Sequence, residues 1–592
     1  MASSKKAPSK PSQRVTDRGI GEESRQAMNW LVWGGSLVTL FFWTTLSDPF
    51  NAPKSWVLGI AGLWLFGWLL FQVKAQIKDR VLFWSTVLSG VYALAFLAAW
   101  LATDNKYIGF FGDYQRRTGF LAYFSLIVFL VAASYLFRIK RIILLEFAGV
   151  LVGFITGAYG LLQHFNHDFV KWNNPYNSVL STLGNPDFAA AVMAIFLVVS
   201  FGVAIQMKQP LWLRGLAGVN VVLLLVVIVF SQVRQGLLAG ALGVAIIVIV
   251  WVWQRHKIAA WALTALGLVG GLLGLAGMLN MGPLTKYFYK VSVTYRGDYW
   301  RAGWNMFVHH PLFGVGLDRF GAYFRQYRDA TQVARRGPNV ISNAAHDVPV
   351  QLASTGGIFV VLALLALTFF ILWRGVVALR KTSGADQIVV AVIFGAWATY
   401  EAQSLISIDN LAIAIWGYIL GGAVIGSSVL PGTEVKVAKA TNTHIVQPLV
   451  SSVLALMMLI VGILFFESES AMHTLAGIAI PKQQNQLATY EQYALKPLGY
   501  GFKEPNFEVT IAGDLAGAGF APNAITQLQG VIKSDPHNYD AQDMLSRIFE
   551  FQKNYGAAVP IRQTMVKEDP FNKTLSTQLS TDISSATPSV KK

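Results

Sequence analysis

About thirteen long apolar segments dominate the chain and limit what it can fold into. A helix needs about 20 apolar residues to cross the hydrocarbon core of a bilayer. Hydrophobic residues make up 54% of the 592 residues and charged residues only 13%, against roughly a quarter in soluble domains. We therefore predict an all-α polytopic membrane helix bundle of about 12–13 transmembrane helices. The candidate spans are residues 29–46, 55–73, 81–102, 119–137, 142–163, 187–207, 212–230, 236–253, 258–281, 348–373, 387–405, 411–430 and 448–466.

Basic residues in the short loops between these segments predict the orientation of the bundle. With the N-terminus in the cytoplasm, every internal loop carries Lys or Arg, as the positive-inside rule requires. An odd number of spans then places the C-terminus outside, together with loops 103–118, 164–186, 231–235 and a large loop at 282–347. This topology explains the net charge of +16. No basic domain that would contact nucleic acid is present.

The composition divides the chain into three regions. Residues 1–27 are rich in Ser, Lys and Arg, and we predict a disordered cytoplasmic tail. Residues 28–466 form the predicted transmembrane domain, which includes the large external loop 282–347. Residues 467–592 have the composition of a soluble protein. They predict a small α-helical domain outside the membrane, with a loose end rich in Ser and Thr after about residue 580.

The C-terminal region contains a repeated motif. Asp535-Pro536 and Asp569-Pro570 are separated by 34 residues, the tetratricopeptide period, and each pair is followed by a bulky residue and Asn. Apolar residues at helical spacing lie between them. The pattern predicts one to two tetratricopeptide-like helix pairs, which we expect to rest on a neighbouring part of the chain because several repeats are normally needed for stability.

The predicted external loops are rich in arginine, which runs against the positive-inside rule and requires another explanation. Guanidinium groups bind phosphate bidentately, so an anionic group at the outer membrane surface would explain them. The alternative is that these side chains extend towards lipid headgroups, and we favour that for Lys286, Lys290 and Arg325. For Arg234 we favour a functional role, since an arginine in a tight turn between two spans is costly unless it has a partner.

Histidines supply the candidate acid–base chemistry. His346 precedes a span that begins Asp347-Val348-Pro349, so it lies at the predicted membrane surface. An imidazole titrates near working pH and suits a general base, although a surface histidine that ends a loop is an equal alternative. His309 and His310 are interpreted as helix-end residues, and Asp48 as a loop cap. The chain has no cysteine and no nucleotide- or metal-binding motif, so we predict no metal and no cofactor.

The order of these motifs resembles the O-antigen ligase / Wzy polymerase superfamily of bacterial membrane glycosyltransferases. SQVR ends in Arg234, R-x-x-x-W runs from Arg296 to Trp300 and is followed by PLFGVG, and AHD carries His346 into a span with Gly-Gly. GDYQRRTG at 112–119, GNPDFAA at 184–190 and D-N-x-x-x-A-x-W at 409–416 extend the resemblance. The sequence departs from the commonest pattern at Asp347, where Asn often stands, and at Gln232-Val233, which replace smaller residues.

The resemblance implies a GT-C-like, metal-independent, inverting enzyme of the bacterial cytoplasmic membrane. It would transfer a glycan from undecaprenyl diphosphate to an acceptor hydroxyl of a glycan, lipid or protein on the outer face. Arg234 and Arg296 would hold the diphosphate, and His346 would deprotonate or orient the acceptor. Weaker candidates for substrate binding are Arg301, Arg116, Arg117 and Trp300.

Several functions fit these observations. A ligase, a Wzy-type polymerase and a protein O-oligosaccharyltransferase share the same residues. A transporter of lipid-linked glycan would also present a basic cavity outward, but it should carry charged residues deep within several spans. The predicted spans contain few, chiefly Glu146 and Glu401. A non-catalytic scaffold that recruits partners through the external repeats is a third alternative.

Overall fold

The computed structural model describes residues 21–172, 179–289, 291–429 and 443–587. Within these ranges the secondary structure is helical and contains no strand, which confirms the predicted all-α class. Most of the predicted tail lies outside the described residues. Its last residues differ from the prediction, because the first helix already begins at Glu22. Likewise, the last helix continues to Ala586, beyond the predicted start of the loose C-terminal end.

In the part of the chain that the structure describes, ten helices precede the large loop, with short 3₁₀ turns at Ile139–Arg141 and Ser181–Leu183. They are α1 (Glu22–Leu40), α2 (Asn51–Gln76), α3 (Arg80–Ala102), α4 (Lys106–Phe111), α5 (Phe120–Leu136), α6 (Ile142–His164), α7 (Pro186–Ile205), α8 (Leu211–Phe230), α9 (Arg234–Trp253) and α10 (Lys257–Met278).

Eight helices form the large loop and the second part of the bundle. They are α11 (Thr285–Phe288), α12 (Val291–His309), α13 (Phe320–Tyr327), α14 (Ala330–Arg336), α15 (Val348–Lys381), α16 (Gly384–Ser404), α17 (Leu411–Ser427) and α18 (Thr443–Ala476). After them come six shorter helices, with a 3₁₀ turn at Lys496–Tyr500: α19 (Gln484–Leu495), α20 (Pro505–Gly517), α21 (Ala521–Ser534), α22 (Tyr539–Phe551), α23 (Tyr555–Glu568) and α24 (Lys573–Ala586).

Each of the thirteen predicted spans overlaps one helix, although α1 ends at Leu40, before the end of the first predicted span. In the described ranges, nine helices are long and apolar enough to cross a membrane: α2, α3, α6 to α10, α15 and α18. Two more, α5 and α17, are apolar helices of 17 residues. The remaining two, α1 and α16, have acidic residues in their first turns. The fold is therefore the predicted polytopic membrane helix bundle.

The two shortest apolar helices, α5 and α17, form the centre of the bundle. Every residue of α17 is buried, and it packs extensively on α5. Glycines allow the close approach, because a Cβ atom at Gly422 would lie 2.2 Å from the Leu130 carbonyl oxygen. Small residues at helix contacts are the usual solution in membranes. The longer helices α7, α9, α15 and α16 pack around or next to this centre, which fixes the ends from which the connecting loops emerge.

The C-terminal helices stack in sequence order and have a hydrophobic core of their own. From α20 to α24, each helix packs on the next one along the chain. The repeated motif has a repeated geometry, because the side chain of Asn538 caps α22 and that of Asn572 caps α24. Asp535 and Asp569 pair with Arg319 and Arg328 of the large loop. This loop therefore supplies the neighbour on which we expected the repeats to rest.

Candidate functional site

An open cleft at one end of the bundle contains Arg234, Arg296 and His346 together. Its volume is about 200 Å³, larger than the apolar cleft of about 110 Å³ between α3, α15, α16 and α17. The larger cleft is also the one lined by the predicted catalytic residues. Its lining comprises Asp187, Val233, Arg234, Gln235, Met278, Phe288, Ser292, Val293, Tyr295, Arg296, Tyr299 and His346.

Arg234 reaches the cleft because it is the first residue of α9. A tight turn precedes it, in which Gln232 has a φ of 59° and the Val233 N–H donates to Ser231 Oγ at 3.3 Å. The guanidinium donates to the Tyr289 carbonyl at 3.3 Å. The first turn of α7 also lines the cleft through Asp187. Helix N-termini carry partial positive charge and unpaired N–H groups, so two helix starts and Arg234 favour an anion here.

Arg296 and Tyr299 lie one helical turn apart on α12 and both face the cleft. Burial lowers the pKa of Arg296, while the nearby Asp187 carboxylate opposes that shift. A guanidinium stays charged at any physiological pH. The cleft therefore holds two permanent positive charges, those of Arg234 and Arg296. Asp187 partly offsets the charge of Arg296.

His346 occupies the loop that leads into α15. Its φ is 56°, in the left-handed region, which histidine enters more readily than most residues. Its ring stacks on that of Tyr299, with centroids 5.2 Å apart and planes inclined by 30°. Burial, followed by the charges of Arg296 and Arg116, lowers the pKa of His346 to about 3. The imidazole is therefore neutral at physiological pH and able to accept a proton.

Asp347 follows the histidine and begins α15. Its side chain caps the helix by accepting the Val350 N–H at 2.8 Å. Burial raises the pKa of Asp347 to about 6, although the Val350 N–H opposes the shift. The Ala345 N–H is held by the Gln351 side chain at 2.8 Å. Asp347 thus fulfils a capping role that Asn also fulfils, so the departure from the common pattern keeps the local geometry.

Arg116 lies beside the cleft rather than among its lining residues. Its guanidinium binds the side chain of Asn343, three residues before the catalytic candidate His346. The charge of Arg116 also contributes to the low pKa of His346. The charge of Arg116 thus acts on the site. The loop that contains Arg116 is also bonded to the loop that contains His346.

The other predicted substrate-binding residues lie elsewhere. Arg117 is fully buried and pairs with Glu469 and Glu504, each at 2.8 Å. Arg301 is half-exposed and pairs with Asp298 and Asp329. Trp300 is half-buried on α12 and does not line the cleft. The charges of both arginines are balanced by protein carboxylates, so we propose structural roles for Arg117 and Arg301.

Two cleft residues, Asp187 and Tyr299, were not singled out from the sequence. Asp187 belongs to the segment GNPDFAA, and Tyr299 lies inside the R-x-x-x-W motif. Both residues could therefore have been found from the motifs that carry the family resemblance. Asp48 behaves as the predicted loop cap, since its carboxylate accepts the N–H groups of Phe50, Asn51 and Ala52 at the start of α2. Among the described residues, no three His, Cys, Asp or Glu side chains are grouped as a metal ion requires.

A comparison with known families found a match in the central part of the chain. Residues 219–365 match the family model Wzy_C, described as O-antigen ligase. The matched segment runs from α8 into α15 and includes Arg234, Arg296 and His346. No curated protein matches the chain.

Proposed function

Because the chain belongs to the O-antigen ligase / Wzy superfamily, we propose that it is a glycosyltransferase that moves a glycan from undecaprenyl diphosphate to an acceptor hydroxyl. The reaction would take place on the outer face of the bacterial cytoplasmic membrane, with the N-terminus inside and the C-terminal domain outside. One observation carries the proposal. Two arginines and a neutral histidine from three distant parts of the sequence line a single cleft beside the first turns of α7 and α9.

The leaving group explains the two arginines. When the bond between the anomeric carbon and the phosphate oxygen breaks, negative charge grows on the diphosphate. Arg234 and Arg296 are fixed charges in a partly buried cleft, where they stabilise that charge more strongly than water would. The helix starts of α7 and α9 add to the same field. These residues perform the role that a bound metal ion performs in many diphosphate-using enzymes.

The histidine acts on the acceptor. As the acceptor oxygen forms its bond to the anomeric carbon, the hydroxyl proton passes to the neutral imidazole of His346, and the carrier leaves as undecaprenyl diphosphate. Attack from the side opposite the leaving group inverts the configuration. Arg296 lowers the pKa of His346 in the unliganded protein. A bound diphosphate offsets that charge, so donor binding would increase the basicity of His346 immediately before it is needed.

A transfer assay with purified protein tests the proposal. We expect His346→Ala and Arg296→Ala each to abolish transfer from a lipid-diphosphate-linked glycan, while both proteins insert at normal levels. His309→Ala is the matched control, because that histidine is exposed at the end of α12 and should leave transfer unchanged. Wild-type rates in purified His346→Ala protein would contradict the assignment. A transporter would move the lipid-linked glycan without changing it, so the absence of a transferred product would favour that alternative.

A deletion strain distinguishes the possible acceptors. Accumulation of finished lipid-linked polymer would identify a ligase, and accumulation of single repeat units would identify a polymerase. Loss of glycan from a protein, with the surface polysaccharide intact, would identify a protein O-oligosaccharyltransferase.

A further inference from the structure

We propose that the C-terminal repeats position the catalytic loop, and that Asp535 and Asp569 are positioning residues for His346. The proposal rests on the proposed function of the cleft. It begins with α13, the short helix of the large loop. Arg319 immediately precedes this helix and Arg328 immediately follows it. Both arginines are almost completely buried, with 2% of each residue exposed.

Each of these arginines pairs with the aspartate that opens an Asp-Pro motif. Arg319 binds Asp535 through two parallel hydrogen bonds, and Arg328 binds Asp569 at 2.6 Å. Both aspartates are only 1% exposed. Two aspartates one repeat apart thus hold the two ends of one helix. A surface contact between charged groups contributes little stability, whereas breaking the buried Arg328–Asp569 pair leaves a buried charge without that partner. Arg319 also binds Asp104 at 3.1 Å, so the loss of Asp535 removes one of its two carboxylate contacts.

A third arginine strengthens the same contact. The Arg325 guanidinium lies 3.6 Å from the Asp569 carboxylate and 3.9 Å from the centre of the Tyr539 ring, which begins α22. It also donates to the Pro338 carbonyl at 3.1 Å, and Arg328 donates to the Val340 carbonyl at 3.3 Å. The arginines that bind the repeats therefore also hold the segment that leads towards His346.

Aromatic side chains of α13 pack against residues next to the cleft. Phe320 and Phe324 share a buried core with Tyr299 and Ala345. The rings of Phe324 and Tyr299 lie 5.9 Å apart in an edge-to-face arrangement, and Tyr299 in turn stacks on His346. A continuous series of contacts thus runs from Asp569 through Arg328 and α13 to the imidazole. Of the two arginines proposed to hold the diphosphate, Arg234 lies on α9, outside this series, and Arg296 is fixed within α12. His346 lies in a loop, so the repeats should affect the chemical step more than donor binding.

The test uses the full-length protein with Asp569→Asn and Asp535→Asn. We expect kcat to fall about 100-fold, the effect of a small displacement of a catalytic group, while the KM for the lipid-linked donor stays close to wild type. Hydrogen exchange at residues 320–346 should increase in both variants. Asp540→Asn is the matched control, since this aspartate lies in the same repeat but is exposed, and it should change neither quantity.

Conservative variants separate positioning from a general loss of stability. The double variant Asp569→Asn with Arg328→Gln replaces the buried charges with an amide pair and should recover part of the lost kcat. If Asp569→Asn does not fold, Asp569→Glu keeps the charge, displaces α13 and should still lower kcat. Wild-type kcat and wild-type exchange in folded Asp569→Asn and Asp535→Asn would overturn the proposal.

The outcome can be distinguished from failure of the proposed function. If the wild-type protein transfers no glycan, the proposed function fails. In that case, increased exchange at residues 320–346 in Asp569→Asn would still support the contact between the repeats and the loop. If the wild-type protein transfers glycan and both asparagine variants do so equally well, only the positioning proposal fails.

Discussion

The ring of Tyr299 stacks on the imidazole of His346, and Tyr299 lies one helical turn after Arg296 on α12. One helix therefore presents both the arginine that we propose binds phosphate and the ring that supports the proposed catalytic base. The Tyr299 hydroxyl accepts a hydrogen bond from Arg336 at 2.6 Å, whereas the contact with His346 is made by the ring. Tyr299 should serve the reaction through its ring rather than through its hydroxyl group.

Substitution of Tyr299 tests this division. Tyr299→Phe keeps the ring and should retain a kcat close to wild type. Tyr299→Ala removes the support of His346 and should lower kcat about 100-fold, as expected for a misplaced catalytic group. Steady-state kinetics of the two purified variants would measure the difference. Equal losses in both variants would show that the hydroxyl, not the ring, matters.

The acid–base behaviour of His346 gives a second prediction. Burial and the charges of Arg296 and Arg116 lower the pKa of His346 from 6.5 to about 3. In the free enzyme the imidazole is therefore neutral on both sides of pH 6.5, and kcat/KM should show no inflection from His346 at that pH. Arg296→Gln removes one of the charges and should raise the pKa of His346. An NMR titration of the labelled imidazole would detect this, and a wild-type midpoint near 6.5 would contradict it.

Arg117 should stabilise the protein rather than bind the donor. Arg117→Gln leaves the buried carboxylates of Glu469 and Glu504 without their partner, which typically costs about 3–5 kcal/mol. We therefore expect a clearly lower Tm in detergent, with little change in the donor KM of the folded fraction. The control is Arg301→Gln, because Arg301 is half-exposed and Arg335 also pairs with its buried partner Asp298. Its loss should therefore lower the Tm less than the loss of Arg117. If Arg117→Gln raised the KM for the donor and left the Tm unchanged, the result would support a role for Arg117 in substrate binding.

The orientation of the bundle predicts where the repeats lie. An alkaline phosphatase fused after the C-terminus should be active, because this enzyme folds only outside the cytoplasm, and a cytoplasmic reporter at the same position should be silent. The opposite result would place the repeats, and the large loop on which they rest, inside the cell.

Much of the fold could be predicted because apolar length determines helix position in a membrane. All thirteen predicted spans overlap helices, and the family motifs predicted that Arg234, Arg296 and His346 share a site. The partners of Arg117 could not be predicted in this way. Glu469 and Glu504 lie more than 350 residues further along the chain, and a long-range buried pair leaves no local pattern in the sequence.

The same limit applies to the contact between α13 and the repeats. The period that links Asp535 to Asp569 was visible in the sequence, and so was the arginine content of the large loop. Their pairing depends on how the C-terminal helices stack over the loop, which no local motif encodes. The sequence favours a contact between Arg325 and lipid headgroups, because an isolated arginine near a span usually extends towards them. The structure instead places the Arg325 guanidinium over the ring of Tyr539.

Binding of undecaprenyl diphosphate to the purified protein tests the shared role of Arg234 and Arg296 most directly. Arg234→Gln and Arg296→Gln should each raise the Kd at least about tenfold, since a hydrogen bond between charged groups contributes roughly 1.5–3 kcal/mol. Arg301→Gln should bind as the wild type does, and His346→Ala should bind normally but transfer nothing. Wild-type affinity in both Arg234→Gln and Arg296→Gln would show that the cleft does not hold the diphosphate.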